Sequence, residues 1–217
     1  MLFEEILLAL DPEPHSAALN MALDEALLHR AQRPTLRVYR WRTPAVSFGY
    51  FGKLAEAEAA AGGRELVRRW TGGGIVEHGA DLTYTLMVPM GAMFLRHAPL
   101  ESYRMIHEQI AQWLTARGIA AAVAPGSAGA NANACFAAHV RYDVVNGTGK
   151  IAGAAQRRTR CGLLHQGSIQ TPLKDTAGLA ESLAEHVQPM EIAGEVVSAA
   201  EQIAEQKYAT AAWLRKS

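Results

Sequence analysis

Tyr142 to Ile169, YDVVNGTGKIAGAAQRRTRCGLLHQGSI, is the stretch whose reading decides the fold. Tyr142 and Val144 alternate with Asp143 and Val145, and the run Asn146-Gly147-Thr148-Gly149 separates them from Lys150-Ile151-Ala152. This is the pattern of a hairpin whose turn residues tolerate positive φ, and it predicts three consecutive strands ending at Ile169, with Lys150 at the mouth of the second. Gly153, Ala154 and Ala155 leave one face of that strand without side-chain bulk. Such a face suits either a narrow slot for a ligand or a sheet edge packed beneath a helix.

Upstream, the small-residue loop Pro125 to Ala134 delivers Cys135. A thiol that follows a flexible loop and lies close in sequence to Lys150 is a candidate nucleophile, its thiolate favoured by positive charge, although many buried cysteines are inert. A second notable stretch is RRWTGGGIVEH, Arg68 to His78. Three successive glycines let backbone N–H groups turn towards an anionic or carbonyl oxygen, and the paired arginines suit bidentate contacts to phosphate. The run matches neither the P-loop nor the dinucleotide fingerprint, and a plain glycine hairpin beside a surface charge pair fits it as well. His78, taken singly, suits a structural histidine at least as well as a base.

Around these stretches, Phe3–Leu10 is expected as a strand and Ser16 as the cap of a helix carrying Leu19, Ala22, Leu23, Ala26 and Leu27 on one side. Asp24 and Glu25 fall on the other side, as a solvated face. Short strands are expected at 36–40, 45–48, 65–69, 81–88 and 120–124, with a helix over 53–61 ended by Gly62-Gly63. Leu100, Tyr103, Ile106, Ile110, Trp113 and Leu114 trace the core stripe of another helix, ended by Gly118. From Asp175 to Lys216 the periodicity predicts mostly helix, with Leu179, Leu183 and Val187 as one stripe.

The whole chain sets further bounds. Its 217 residues, 49% of them hydrophobic, suffice for one domain spanning 1–217. Twenty-one Lys and Arg balance 21 Asp and Glu, so no global charge points to nucleic acid or a membrane surface. No apolar run approaches the roughly 18 residues of a membrane span, and Met1 to Leu10 carries Glu4 and Glu5 where a signal peptide is basic. A cytoplasmic protein is expected. The only cysteines, Cys135 and Cys161, are too few for a disulfide framework or a closed four-cysteine zinc site, and no metal is expected.

Together, RRWTGGGIVEH, YDVVNGTGKIAGAAQRR and LLHQGSI resemble the lipoate- and biotin-protein ligase catalytic domain, and more narrowly its lipoyl-pathway branch. The resemblance runs from the SAALNMALDEALL helix through Ile169, about two-thirds of the chain. It implies an α/β (α+β) fold of mixed, largely antiparallel sheets with packed helices. The branch holds two chemistries: lipoate ligases activate a free acid with ATP and magnesium, whereas octanoyltransferases take an acyl group from acyl carrier protein through a cysteine thioester. NACFAAHVRYDVV followed by GKIAGAAQRR is similar to the cysteine-dependent octanoyltransferase type. His139-Val140-Arg141 departs from that type's pattern before the tyrosine, and Gly74 stands where such transferases often carry arginine.

By this resemblance Cys135 is the nucleophile, and Lys150, with the N–H groups of Gly73 and Gly74, stabilises the oxyanion. Arg69, Thr71, Gly72, Gly73, Gly74, His78, Gly153, Ala154, Ala155, His165 and Gly167 bind the substrate, the small residues lining an apolar acyl tunnel. The donor is acyl carrier protein, the acceptor a lysine of lipoyl domains or of the glycine-cleavage H protein, and neither ATP nor magnesium is required. Because carrier proteins are commonly acidic, Arg64, Arg68, Arg69 and Arg157, Arg158, Arg160 are candidate docking patches. An ATP-dependent lipoate-protein ligase and a non-catalytic acyl- or carrier-binding relative remain the alternatives.

Overall fold

The computed structural model describes residues 1–127, 139–171 and 176–216. In chain order the elements are β1 (Phe3–Leu10), α1 (Ala17–Arg30), β2 (Thr35–Tyr39), β3 (Ala45–Phe48), α2 (Leu54–Ala61), β4 (Glu65–Arg68), β5 (Ile75–His78) and β6 (Leu82–Pro89). They continue with α3 (Pro99–Thr115), β7 (Ala122–Val123), β8 (Val144–Asn146), β9 (Gly149–Thr159), β10 (Gly162–Ile169), α4 (Ala177–Leu183), β11 (Ala184–Pro189), α5 (Gly194–Ile203) and α6 (Ala211–Leu214).

One sheet has the order β11-β1-β2-β6-β10-β9-β8-β7, and a small one has the order β4-β3-β5. Strand β1 runs parallel to β11 and β2, and β3 parallel to β4; the other pairs are antiparallel. This is the mixed, largely antiparallel arrangement expected.

The period-two alternation of the strands sorts the core into two clusters. Leu36, Val38, Tyr84, Leu86, Leu163 and Ile169 pack with Ile106, Ile110 and Leu114 of α3 and Leu179 and Leu183 of α4. On the other face Tyr39, Met87 and Leu164 meet Met21, Leu23 and Leu28 of α1 and Val196 and Ala200 of α5. Helix α1 starts where expected, with the Ser16 side chain accepting the Leu19 N–H at 3.3 Å.

Several expectations need correction. Asp24 and Glu25 are buried, at 0% and 8% exposure, because α1 is sandwiched between sheet and α5 and has no broad solvated face. Asp24 bonds the Arg37 guanidinium at 2.7 Å, Thr85 Oγ1 at 2.6 Å and Gln166 Nε2 at 2.8 Å, while Glu25 accepts from Lys207 and Tyr208. Residues 184–189 form a strand, not helix, since β1 offers them an open edge with Phe3 opposite Ala184 and Ile6 opposite Val187. Leu100 is exposed outside the α3 stripe, and the strand near Ala120 shrinks to Ala122–Val123. Tyr142 and Asp143 lie in a turn ahead of β8, with Tyr142 at φ 72, a left-handed conformation that few non-glycine residues adopt.

Candidate active site

Alternation along β9 aims Gly153 and Ala155 at the α1 side of the large sheet, opposite Ser168 and Gln166 of β10. The glycine run between β4 and β5 folds over this bare patch, and a methyl group on Gly73 would lie 3.4 Å from the Ala155 Cβ. The loop is seated backbone on backbone: a Cβ at Gly49 would overlap the Gly73 carbonyl and the Gly72 backbone. Arg69 ties its two ends by donating to the Gly72 and Gly74 carbonyls at 3.0 and 2.8 Å. Thr71 Oγ1 bonds Gln166 Oε1 at 2.7 Å, which fixes the loop's start to β10. A narrow cavity remains, walled by Gly73, Gly153, Ala154, Ala155, Met21 and Trp41 among others.

One wall of the cavity is polar, and its protons can be assigned. Asp81 can only accept, so His78 donates Nδ1–H to its Oδ2 at 2.9 Å, and burial holds the His78 ring below its ordinary pKa, hence neutral. Its Nε2 therefore accepts from Ser47 Oγ at 2.7 Å, and Ser47 in turn accepts from Arg69 Nη1 at 2.7 Å. Burial raises the Asp81 pKa, but bonds from His78, Ser168 and the Gly79 N–H outweigh it and bring the carboxyl to about 2. Trp41 stacks on His78 with centroids 4.1 Å apart and donates Nε1–H to Thr83 Oγ1 at 2.8 Å.

Lys150 approaches from the other end of the patch. Its ammonium bonds Asp143 Oδ2 at 2.8 Å, the two side chains being 4% and 0% exposed. Its tip lies so close over Gly153 that a Cβ there would overlap Lys150 Cε and Nζ. The bare strand face is thus filled in part by a cation, which only a glycine at 153 admits.

The structure brings together Arg69, Gly73, His78, Gly153, Ala154, Ala155 and Gly167 on the cavity, and Lys150 against its Gly153 wall. Thr71 and Gly72 support the loop, while Gly74 faces a second hollow shared with Lys53 and Glu56. Cys135 lies outside the described residues. His165 does not line the cavity: the β10 pleat turns it to the α3 side, where it is fully buried between Tyr84 OH at 3.0 Å and Gln156 Nε2 at 3.0 Å.

The arginine docking patches also change. Arg68 is buried on the carbonyls of Tyr50, Gly52, Trp213 and Leu214, and Arg69 on the glycine loop, because clustered carbonyls satisfy a guanidinium's five donors as well as solvent does. Arg64 is spent on Glu77 and the Ala60 and Ala61 carbonyls. Arg157 lies over the Tyr50 and Trp70 rings, and Arg158 is exposed but donates to the Leu95 and His97 carbonyls. Arg160 is exposed.

Sequence reading missed Ser47, Trp41, Asp81, Tyr103 and Asp143 as parts of this site. Asp81, three residues beyond His78, carried a faint signal; Ser47 carried none, since only the pairing of β3 with β5 brings it to the histidine, and Trp41 carried none, since only its stacking on the ring shows it.

Comparison with known proteins agrees with this architecture. The Lipoyl protein ligase A/B catalytic domain family model matches residues 16–203. Octanoyltransferase LipM of Oceanobacillus iheyensis is 39% identical over 170 residues, 74% of this chain and 62% of that protein. Octanoyltransferase LipM of Kyrpidia tusciae is 38% identical over 182 residues, 75% of this chain and 65% of that protein. The chain thus spans under two-thirds of the length of these relatives. Among solved structures, lipoate-protein ligase A bound with ATP superposes with a TM-score of 0.72 at 21% identity, covering 100% of this chain and 99% of that one. A bi-partite lipoate protein ligase from Thermoplasma acidophilum gives 0.69 at 19% identity, covering 100% and 98%. With the glycine loop and the lysine strand both falling inside the matched region, the chain belongs to the lipoyl protein ligase A/B catalytic domain family.

Proposed function

We propose that the protein transfers an octanoyl group from acyl carrier protein to a lysine of a lipoyl domain or of the glycine-cleavage H protein, through a thioester on Cys135. The observation that carries this reading is the Lys150 ammonium held over Gly153, at the wall of a largely apolar cavity covered by the glycine loop. The similarity to proteins named octanoyltransferase supports it.

In this reading the Cys135 thiolate attacks the donor thioester carbonyl, and the carrier leaves as its thiolate, which takes up a proton from solvent. The acceptor amine then attacks the acyl-enzyme, an amide forms, the amine loses its proton and the Cys135 thiolate is released. Lys150 is the cation placed to meet the oxyanion of both tetrahedral intermediates, where one donor in a dry site is worth roughly 3–4 kcal/mol. The donor thioester already carries the activation, so no ATP or magnesium enters. The Arg69–Ser47–His78–Asp81 chain holds the glycine loop and the cavity's polar wall in one arrangement, with neutral His78 moving no net charge.

Acceptor mass decides the matter. Octanoyl-acyl carrier protein should load the acceptor without ATP, Cys135→Ala should abolish both this loading and the acyl-enzyme, and Cys161→Ala should preserve them. Loading only from free acid with ATP and magnesium, undiminished by Cys135→Ala, would replace the transferase with a ligase.

A further inference from the structure

Asp143 is the buried anion that pairs with Lys150. Its carboxylate is fully buried and accepts from three directions: Lys150 Nζ at 2.8 Å, Tyr103 OH at 2.6 Å and the Val140 backbone N–H at 2.8 Å. Tyr103 in turn accepts the Ala154 N–H at 3.1 Å, so the same carboxylate is tied to the cavity-lining part of β9. The backbone is forced to present it. Tyr142 sits at φ 72, its N–H bonded to the Ala124 carbonyl at 2.9 Å and its own carbonyl accepting the His107 Nδ1–H at 2.6 Å. A left-handed tyrosine is strained and persists only where neighbours over-determine it. Here it turns the following side chain inward, beneath the lysine.

From this geometry we infer that Asp143 is the positioning residue of the site: it sets the Lys150 ammonium over Gly153 and links that placement to the segment entering β8 and to β9. Lysine is a flexible four-carbon stem with a point charge. The Gly153 and Ala155 face it covers offers no side-chain bulk to wedge the tip, and Asp143 is a buried anion within hydrogen-bond reach of it. Tyr103 and the Val140 N–H take up the carboxylate's other acceptor sites and keep it from turning away. The inference rests on the proposed transfer for its catalytic meaning, but the positioning itself is independent of the reaction.

The test uses Asp143→Asn, Lys150→Ala and the double variant in the full chain. Single-turnover loading of Cys135 from octanoyl-acyl carrier protein, followed by intact mass, should slow by roughly 10- to 100-fold in Asp143→Asn with little change in KM. The double variant should be no slower than Lys150→Ala alone, since both remove one function. Separately, labelling of Lys150 by an amine-reactive reagent, located by peptide mapping, should be slow in the parent and at least several-fold faster in Asp143→Asn. Multiplicative losses in the double variant, or unchanged loading and unchanged labelling, would overturn the inference. Should Asp143→Asn fail to fold, Tyr103→Phe serves, removing one anchor while keeping the carboxylate; it should speed labelling by a smaller factor, and unchanged labelling there counts against the inference. If the parent chain forms no acyl-enzyme while the labelling shift appears, the transfer reading falls and the positioning stands.

Discussion

Gly153→Ala places a methyl group where the Lys150 tip now lies. The new Cβ would stand inside 3.0 Å of Lys150 Cε and Nζ, and 3.1 Å from Asp143 Oδ1. Carbon contacts settle at about 3.5 Å or more, so the ammonium has to retreat by roughly 1 Å or swing out altogether. The lysine tip gives way first, because it ends a flexible chain whereas β9 is held by β8 and β10 on both sides. A misplacement of about 1 Å costs on the order of 100-fold in rate, equivalent to ~2.7 kcal/mol in the barrier. Stability should fall less than the ~3–5 kcal/mol of a fully broken buried pair, since the lysine keeps one edge of the carboxylate within reach. The assay is single-turnover acylation of Cys135 at a temperature where parent and variant are both folded, with Tm measured beside it. Parent-like acylation with an unchanged Tm would refute the reasoning, because the lysine would then be dispensable at the one place the structure puts it.

Asp24→Ala should destabilise the fold by ~1–3 kcal/mol, as it removes one of the two carboxylates on the fully buried Arg37 guanidinium, which keeps Asp11 and Asn20, and takes away the acceptor of the Thr85 hydroxyl and of the Gln166 amide; an unchanged urea midpoint would return Asp24 to the status of a surface charge. Acid should weaken the protein well before its carboxylates titrate. Burial lowers His107 from 6.5 to about 4 and pushes His165 well below its ordinary value. The unfolded chain therefore takes up these protons as pH falls below about 6.5, while native His165 resists its proton and native His107 refuses its own until near 4, a loss of ~3 kcal/mol from His107 alone across that window. Asp81 extends the decline between its ordinary 3.8 and about 2. Urea midpoints that stay level from pH 7 to pH 4.5 would contradict the burial of both imidazoles.

Legibility in the sequence followed locality. The hairpin turn, the Ser16 cap, the glycine run and the small face of Gly153 to Ala155 are set by neighbours within a few residues, and each was readable. What escaped needed partners far along the chain. The same letters that mark a solvated charge in Asp24 mark a buried one once Arg37 arrives from the next strand and Gln166 from β10. Arg68 reads as a surface cation until the carbonyls of Trp213 and Leu214 enclose it. Strand β11 is an edge strand whose own composition favours nothing, and β1, some 180 residues earlier, decides it. Asp143 was visible as a letter in the quoted stretch, but its direction depends on the turned backbone of Tyr142.

The two walls of the cavity come from opposite ends of this connectivity, 47–78 for the glycine loop and its histidine, 150–168 for the lysine strand. Between them run β6, α3 and the descent into β8. Closing contacts over such separations is slow, because the chain entropy is surrendered before any contact rewards it. During synthesis, β3, β4 and β5 can pair while the lysine strand is still unmade. The lysine can meet its carboxylate only after the β8–β9 hairpin closes, and Tyr103 of α3 must dock behind it. The lysine's placement is therefore a late event in folding, and the glycine loop can be in place before the cation that faces it across the cavity.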